Sequence, residues 1–256
     1  MPEWKPSTGS ITLFLASPTS PPLSALDLYR QIWKLDPDKF EKQPNPLAPA
    51  IAQGRHSGLT AACAIQPGRI DFRLSPILPP RQGIGIVFPL IEDLARFERA
   101  LDGVTATIGQ GVIAHPVVRV ALNLHFLVLK SSFAEANRAL AAIIPPEYGV
   151  KLSDEEDFVF QINRPFASLE APNVKMNFLT KWSVDRFQVL TLPVGGVTPV
   201  SPTITTLLGS RVAFDVNSIP DPQALGLSSS QQSSILREAL ITAGKKQKGL
   251  GLRVDE

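Results

Sequence analysis

One cysteine, three histidines, two methionines and two tyrosines are all that this chain of 256 residues carries of those types, whose rarity limits its chemistry. A lone Cys63 forms no internal disulfide, which excludes a disulfide scaffold and leads us to expect a reducing, cytoplasmic setting. His56, His115 and His125 are far apart, and none makes a His-x-x-x-His pair, so no structural zinc site is expected. Cys63 lies in the small apolar run Leu59–Ile65 and reads as a buried hydrophobe rather than a nucleophile. Charged residues make up only 19%, and the net charge of +2 is too slight to argue for nucleic acid by itself.

Longer signatures are missing too. No apolar run approaches the ~20 residues that cross a bilayer, so no membrane association is expected. Met1-Pro2-Glu3-Trp4-Lys5 lacks the basic start and apolar core of a secretory leader. There is no phosphate loop ending in Gly-Lys-Ser or Gly-Lys-Thr, and no Gly-x-Ser-x-Gly elbow. Gly83-Ile84-Gly85 and Gly109-Gln110-Gly111 lack the third glycine of a dinucleotide fingerprint and read as turns. The run Asp154-Glu155-Glu156-Asp157 lacks the alternating spacing of a calcium loop. No metal, no cofactor and no catalytic residue is therefore assigned, and the balance leans against an enzyme.

What the chain does have is a 44% hydrophobic composition and 24 prolines, the latter well above the usual share of about 5%. Alternation marks strands at Ile11–Ala16, Arg69–Leu74, Val117–Leu129, Phe158–Arg164, Val174–Trp182 and Arg211–Asn217. A change of phase between Trp182 and Phe187 predicts a bulge or tight turn near Ser183–Asp185. Helical spacing marks Leu23–Leu35, Leu90–Val104, a segment opened by the Ser132/Glu135 capping box, and Ser230–Ala243 with Gly244 as its stop. Lys245, Lys246 and Lys248 then read as a solvated tail. Prolines and glycines over 36–58 predict a long loop, and no internal repeat of fixed period is present.

One-faced strands and one-faced helices fit an α+β layer: a mainly antiparallel sheet of about five or six strands with helices packed on one face. A single domain over 1–256 is expected, with a Pro-rich section at about 1–60 packed on a core of 65–245.

The opposite, polar face is the candidate site. Its outward positions are Arg69, Asp71, Arg73, Arg119, Asn123, His125, Gln161, Asn163, Lys175, Asn177, Lys181, Arg211, Asp215 and Asn217. Asparagine and aspartate are poor strand formers, so propensity does not account for them. The binding residues singled out are Arg69, Arg73, Arg119, Asn123, His125, Asn163, Lys175, Asn177, Lys181 and Arg211. No Phe, Tyr or Trp is expected on that face, which argues against base stacking. Trp4, Phe40 and Trp182 are candidate anchors for a protein partner, although the core is the better place for Trp182.

The reading is a non-enzymatic, cytoplasmic interaction protein that uses the polar face and the 36–58 segment, with self-association as a homodimer included. One alternative is a hydrolase or nuclease with a dispersed site around His125 and Asp215. Another is weakly specific nucleic-acid binding through the basic positions.

Overall fold

The computed structural model describes residues 3–17, 23–42, 45, 49–78, 88–152, 158–191, 203–221 and 226–252. Among the described residues, nine strands form one antiparallel sheet in the order β2-β3-β4-β5-β1-β6-β9-β8-β7. They are β1 Lys5–Leu15, β2 Lys39–Glu41, β3 Ala50–His56, β4 Leu59–Gln66, β5 Arg69–Pro76, β6 Val117–Lys130, β7 Val159–Ala167, β8 Lys175–Thr191 and β9 Thr203–Ser218. The described helices are α1 Ala25–Trp33, α2 Leu94–Gly109, α3 Phe133–Ala141 and α4 Ser229–Gly249, with a 3-10 turn at Pro146–Tyr148.

The expected five or six strands are therefore too few. The loop assigned to 36–58 contains β2 and β3, and the apolar run around Cys63 is β4. These strands were hard to see because their inward residues are small: Ala52 and Gly54 on β3, Ala61 and Cys63 on β4. Ser57 and Gly58, both at positive φ, make the two-residue turn that joins them. Residues 5–15, from the section expected to pack onto the core, run through the centre of the sheet between β5 and β6.

Every pairing brings like faces together. Ile11 lies opposite Phe72 on β5 and Leu122 on β6, Leu122 opposite Val216, and Val216 opposite Phe178. This apolar face carries the helices. Trp33 of α1 meets Phe72 at 6.0 Å between ring centroids. Phe97 of α2 lies so close over Gly9 that a Cβ there would stand 2.3 Å from its Cζ. The backbone carbonyl of Ala136 in α3 accepts a hydrogen bond from Ser210 Oγ at 2.7 Å.

The helix starts follow their caps. Ser132 Oγ accepts from the Glu135 N–H as expected, but the Glu135 carboxylate turns to the N–H and hydroxyl of Ser131 rather than to the Ser132 N–H. Ser228 and Gln231 form a complete capping box on α4. Glycine at 244 does not stop that helix, which continues to Gly249, so Lys245, Lys246 and Lys248 are helical residues. Buried Glu238 ties α4 to the β7–β8 loop, accepting from Ser168 Oγ at 2.5 Å and from the Leu169 N–H at 2.9 Å.

A duplicated order of elements underlies the sheet. Apart from the three-residue β2 and the 3-10 turn, the series β1-α1-β3-β4-β5-α2 is followed by β6-α3-β7-β8-β9-α4, and the two series meet where β1 pairs with β6. The architecture repeats although the sequence shows no period. None of the described helices is long and apolar enough to cross a membrane.

Candidate polar-face site

Strand register brings the predicted outward residues onto the face opposite the described helices. Ser10 of β1 lies between Arg73 and Asn123, Asn123 faces Asp215, and Asn217 faces Asn177. Arg69 and Arg119 flank Phe14 from opposite sides, and Lys181 faces Gln161. Lys175, on the same face, sits at the end of β8, paired with Ala167.

The asparagines have a use that strand propensity does not capture. Asn163 Nδ2 donates to Asn177 Oδ1 at 3.0 Å, Asn177 Nδ2 to Asn217 Oδ1 at 3.4 Å, and Asn217 Nδ2 to Asp215 Oδ1 at 2.8 Å. A chain of amides thus crosses three strands and ends on a carboxylate, each amide giving one bond and the inner two also accepting one. On the other side of β6, Asp71 Oδ1 accepts from Thr12 Oγ1 at 2.6 Å and from both Nε and Nη2 of Arg69.

A cleft of ≈ 440 Å³ opens on this face around His125 and Arg211. A register shift between Pro6 and Thr8 inserts Ser7 into β1, and two hydroxyls then reach His125. Ser7 Oγ donates to its carbonyl at 3.3 Å, and Thr8 Oγ1 lies 3.2 Å from Nδ1. Burial pushes the imidazole pKa down to about 4, and the positive charges of Arg211, Arg73 and Lys181 add to this against the opposing charge of Asp185. The ring is therefore neutral near pH 7: it is a polar contact rather than a cation, and a weaker base than proton abstraction at that pH calls for.

Beside it, Arg211 Nε lies 3.0 Å from Asp185 Oδ2, and Ser183 Oγ donates to Asp185 Oδ1 at 2.9 Å. The opposite wall is apolar. Phe88 and Phe187 stand with ring centroids 4.5 Å apart, next to buried Leu127.

Several expectations are corrected here. No turn or bulge falls at Ser183–Asp185: β8 pairs with β9 without a break from Met176 to Thr191. Its odd-numbered residues from Lys175 to Phe187 stay on the polar face, so Phe187 breaks the hydrophobic pattern because it lines the cleft, not because the strand slips. The polar face is not free of aromatics either, since Phe14 and Phe187 both lie on it. The guanidinium carbons of Arg119 and Arg69 lie 4.9 Å and 5.6 Å from the Phe14 ring centroid. Phase continued across one exception would have located both rings. Trp4 and Trp182 are buried and offer no anchor, whereas Phe40 is 43% exposed on edge strand β2.

His125 and Asp215 stand on adjacent strands and the same face, but Asp215 is opposite Asn123 and His125 opposite Ala213. No hydrogen bond joins them; Asp215 holds Asn217, and His125 engages Thr8. Cys63 is buried and its thiol is pushed up by burial, with the charge of Asp71 adding to the effect. Among the described residues, no group of three His, Cys, Asp or Glu side chains is placed to hold a metal. The acidic run Asp154–Asp157 and Gly83–Gly85 lie outside the described residues. In comparison with known proteins, no family model matches this chain and no curated protein matches it.

Proposed function

We propose that the protein is a non-catalytic binding protein whose sheet face opposite the described helices docks an acidic protein surface, with the cleft at His125, Arg211 and Phe187 as its anchoring point. The observation that carries this reading is the charge balance on that face. Arg69 and Arg211 are paired with Asp71 and Asp185, but Arg73, Arg119, Lys175 and Lys181 have no carboxylate within ion-pair distance among the described residues. A polar surface with unmatched cations and an aromatic-walled cleft has the make-up of a recognition face: charges for encounter and register, rings for burial.

Weakly specific binding of single-stranded nucleic acid is a second reading, favoured by Phe14 between Arg69 and Arg119. Fluorescence anisotropy with a labelled oligoglutamate peptide and a labelled oligothymidylate separates the two. The first reading expects tighter binding of the peptide, weakened roughly tenfold by the triple change R73Q/R119Q/K181Q. Preference for the oligonucleotide, with affinity falling steeply in salt, replaces the first reading by the second. Equal binding by wild type and variant, or no binding of either probe, defeats both. Light scattering on the same samples tests whether the face is instead occupied by a second copy of the chain.

A further inference from the structure

On the opposite, helix-bearing side, we propose that a cavity of ≈ 380 Å³ between β7, β8 and the end of α4 binds a small amphiphile: an apolar body carrying one carboxylate. Its size falls in the range of small-molecule sites. The body would lie against Ile162, Pro165, Phe166 and Phe178. Around that apolar lining stand Arg164 from β7 and Lys245 and Lys246 from α4.

Three cations beside an apolar hollow call for explanation. Placement near a helix C-terminus accounts for lysines on α4, where they meet the negative end of the helix dipole. It does not account for Arg164, which comes from a strand. Its guanidinium is held in place by Tyr148: Nη2 donates to Oη at 2.5 Å, and the charge lies 5.4 Å from the ring centroid. Among the described residues none of the three cations has a carboxylate within ion-pair distance.

Lys246 is also held below its usual pKa, first by burial and then by the charge of Arg164, with Glu147 opposing. Two cations pressed together at the rim of an apolar cavity are relieved by an anion between them. A carboxylate matches the flat fork of Arg164, and an attached hydrocarbon covers the rings. A bare inorganic anion would leave those rings in water, which is why the occupant is an amphiphile.

Calorimetric titration of the full chain with octanoate tests this, with octanol and acetate as the two halves of the probe. Octanoate is expected to bind more tightly than either half, and R164Q/K246Q to weaken it roughly tenfold or more. T242F, which fills the cavity from α4, is expected to abolish binding while circular dichroism reports an intact fold. Octanol binding as well as octanoate, an unchanged affinity in R164Q/K246Q, or no octanoate binding at roughly 1 mM overturns the proposal. K181Q, on the other face, is expected to leave octanoate untouched, so failure here is separable from failure of the peptide-binding reading.

Discussion

The two halves of the sheet follow one topology and fill it from opposite sides. At β3 and β4 of the first half the bulk is on the helix: Tyr29 and Trp33 of α1, 4.6 Å apart between centroids, cover strands that offer Ala52, Gly54, Ala61 and Cys63. In the second half the bulk is on the sheet. Phe178, Trp182 and Phe214 stand on the helix-bearing face, where the buried residues of α3 include the small Ala136 and Ala139. Interiors must reach the same density whichever side supplies the volume, so two unlike sequences satisfy one arrangement. The halves differ at their edges as well. β3, bordered by the three-residue edge strand β2, buries Ala52 and Gly54, whereas edge strand β7 has no fully buried residue and borders the cavity at Arg164.

That contrast can be broken by moving bulk. The largest effect is expected from W182A, which empties the sheet side of the second half at a cost of about 3–5 kcal/mol in denaturant unfolding. The complementary change, G54A, adds a methyl where the first half has no room. Its Cβ would stand 2.7 Å from Tyr29 Oη and 2.9 Å from the Asp38 backbone N, so a loss of about 1–3 kcal/mol is expected. A gain in stability from G54A would end the idea that α1 supplies the volume there.

Acid sharpens the comparison, because β6 of the second half carries the neutral His125. Its folded pKa of about 4 lies below the unfolded value of 6.5. The unfolded chain therefore binds the extra proton first, and stability that is complete above about 6.5 is lost as pH falls toward 4. The loss is on the order of 3 kcal/mol at its limit, and H125Q should flatten this limb of the stability curve. Smallest of all is F133A, which removes the ring 4.7 Å from the Arg186 guanidinium carbon. About 0.5–1 kcal/mol is expected at this partly exposed contact, read as a small shift in Tm.

Strands with large apolar residues at every second position could be read directly from the sequence, as Val117–Lys130 and Arg69–Pro76 illustrate. Those of the first half's outer edge could not, because alanine and glycine give no contrast between faces when the bulk sits on a partner helix. The polar face was legible for the same reason as the strong strands: parity assigns a side to each residue. Its cleft was not, since Phe187 and Leu127 are apolar side chains on the polar side, and hydrophobicity alone assigns them to the core. Nor does parity name a neighbour, and the amide chain from Asn163 to Asp215 exists only once β7, β8 and β9 are in order.

The central position of β1 bears on how the protein is made. Its partners β5 and β6 follow it in the chain, and β6 begins roughly 100 residues after β1 ends. At a synthesis rate of about 5–20 residues per second, the middle strand of the sheet waits on the order of ten seconds before both its edges are covered. Until β6 is made, β1 with its apolar Ile11, Leu13 and Leu15 keeps at least one edge open. Pairings this distant in sequence also close slowly. A nascent chain stalled before β6 therefore presents a half-built sheet ending in an open strand, the state most in need of a chaperone.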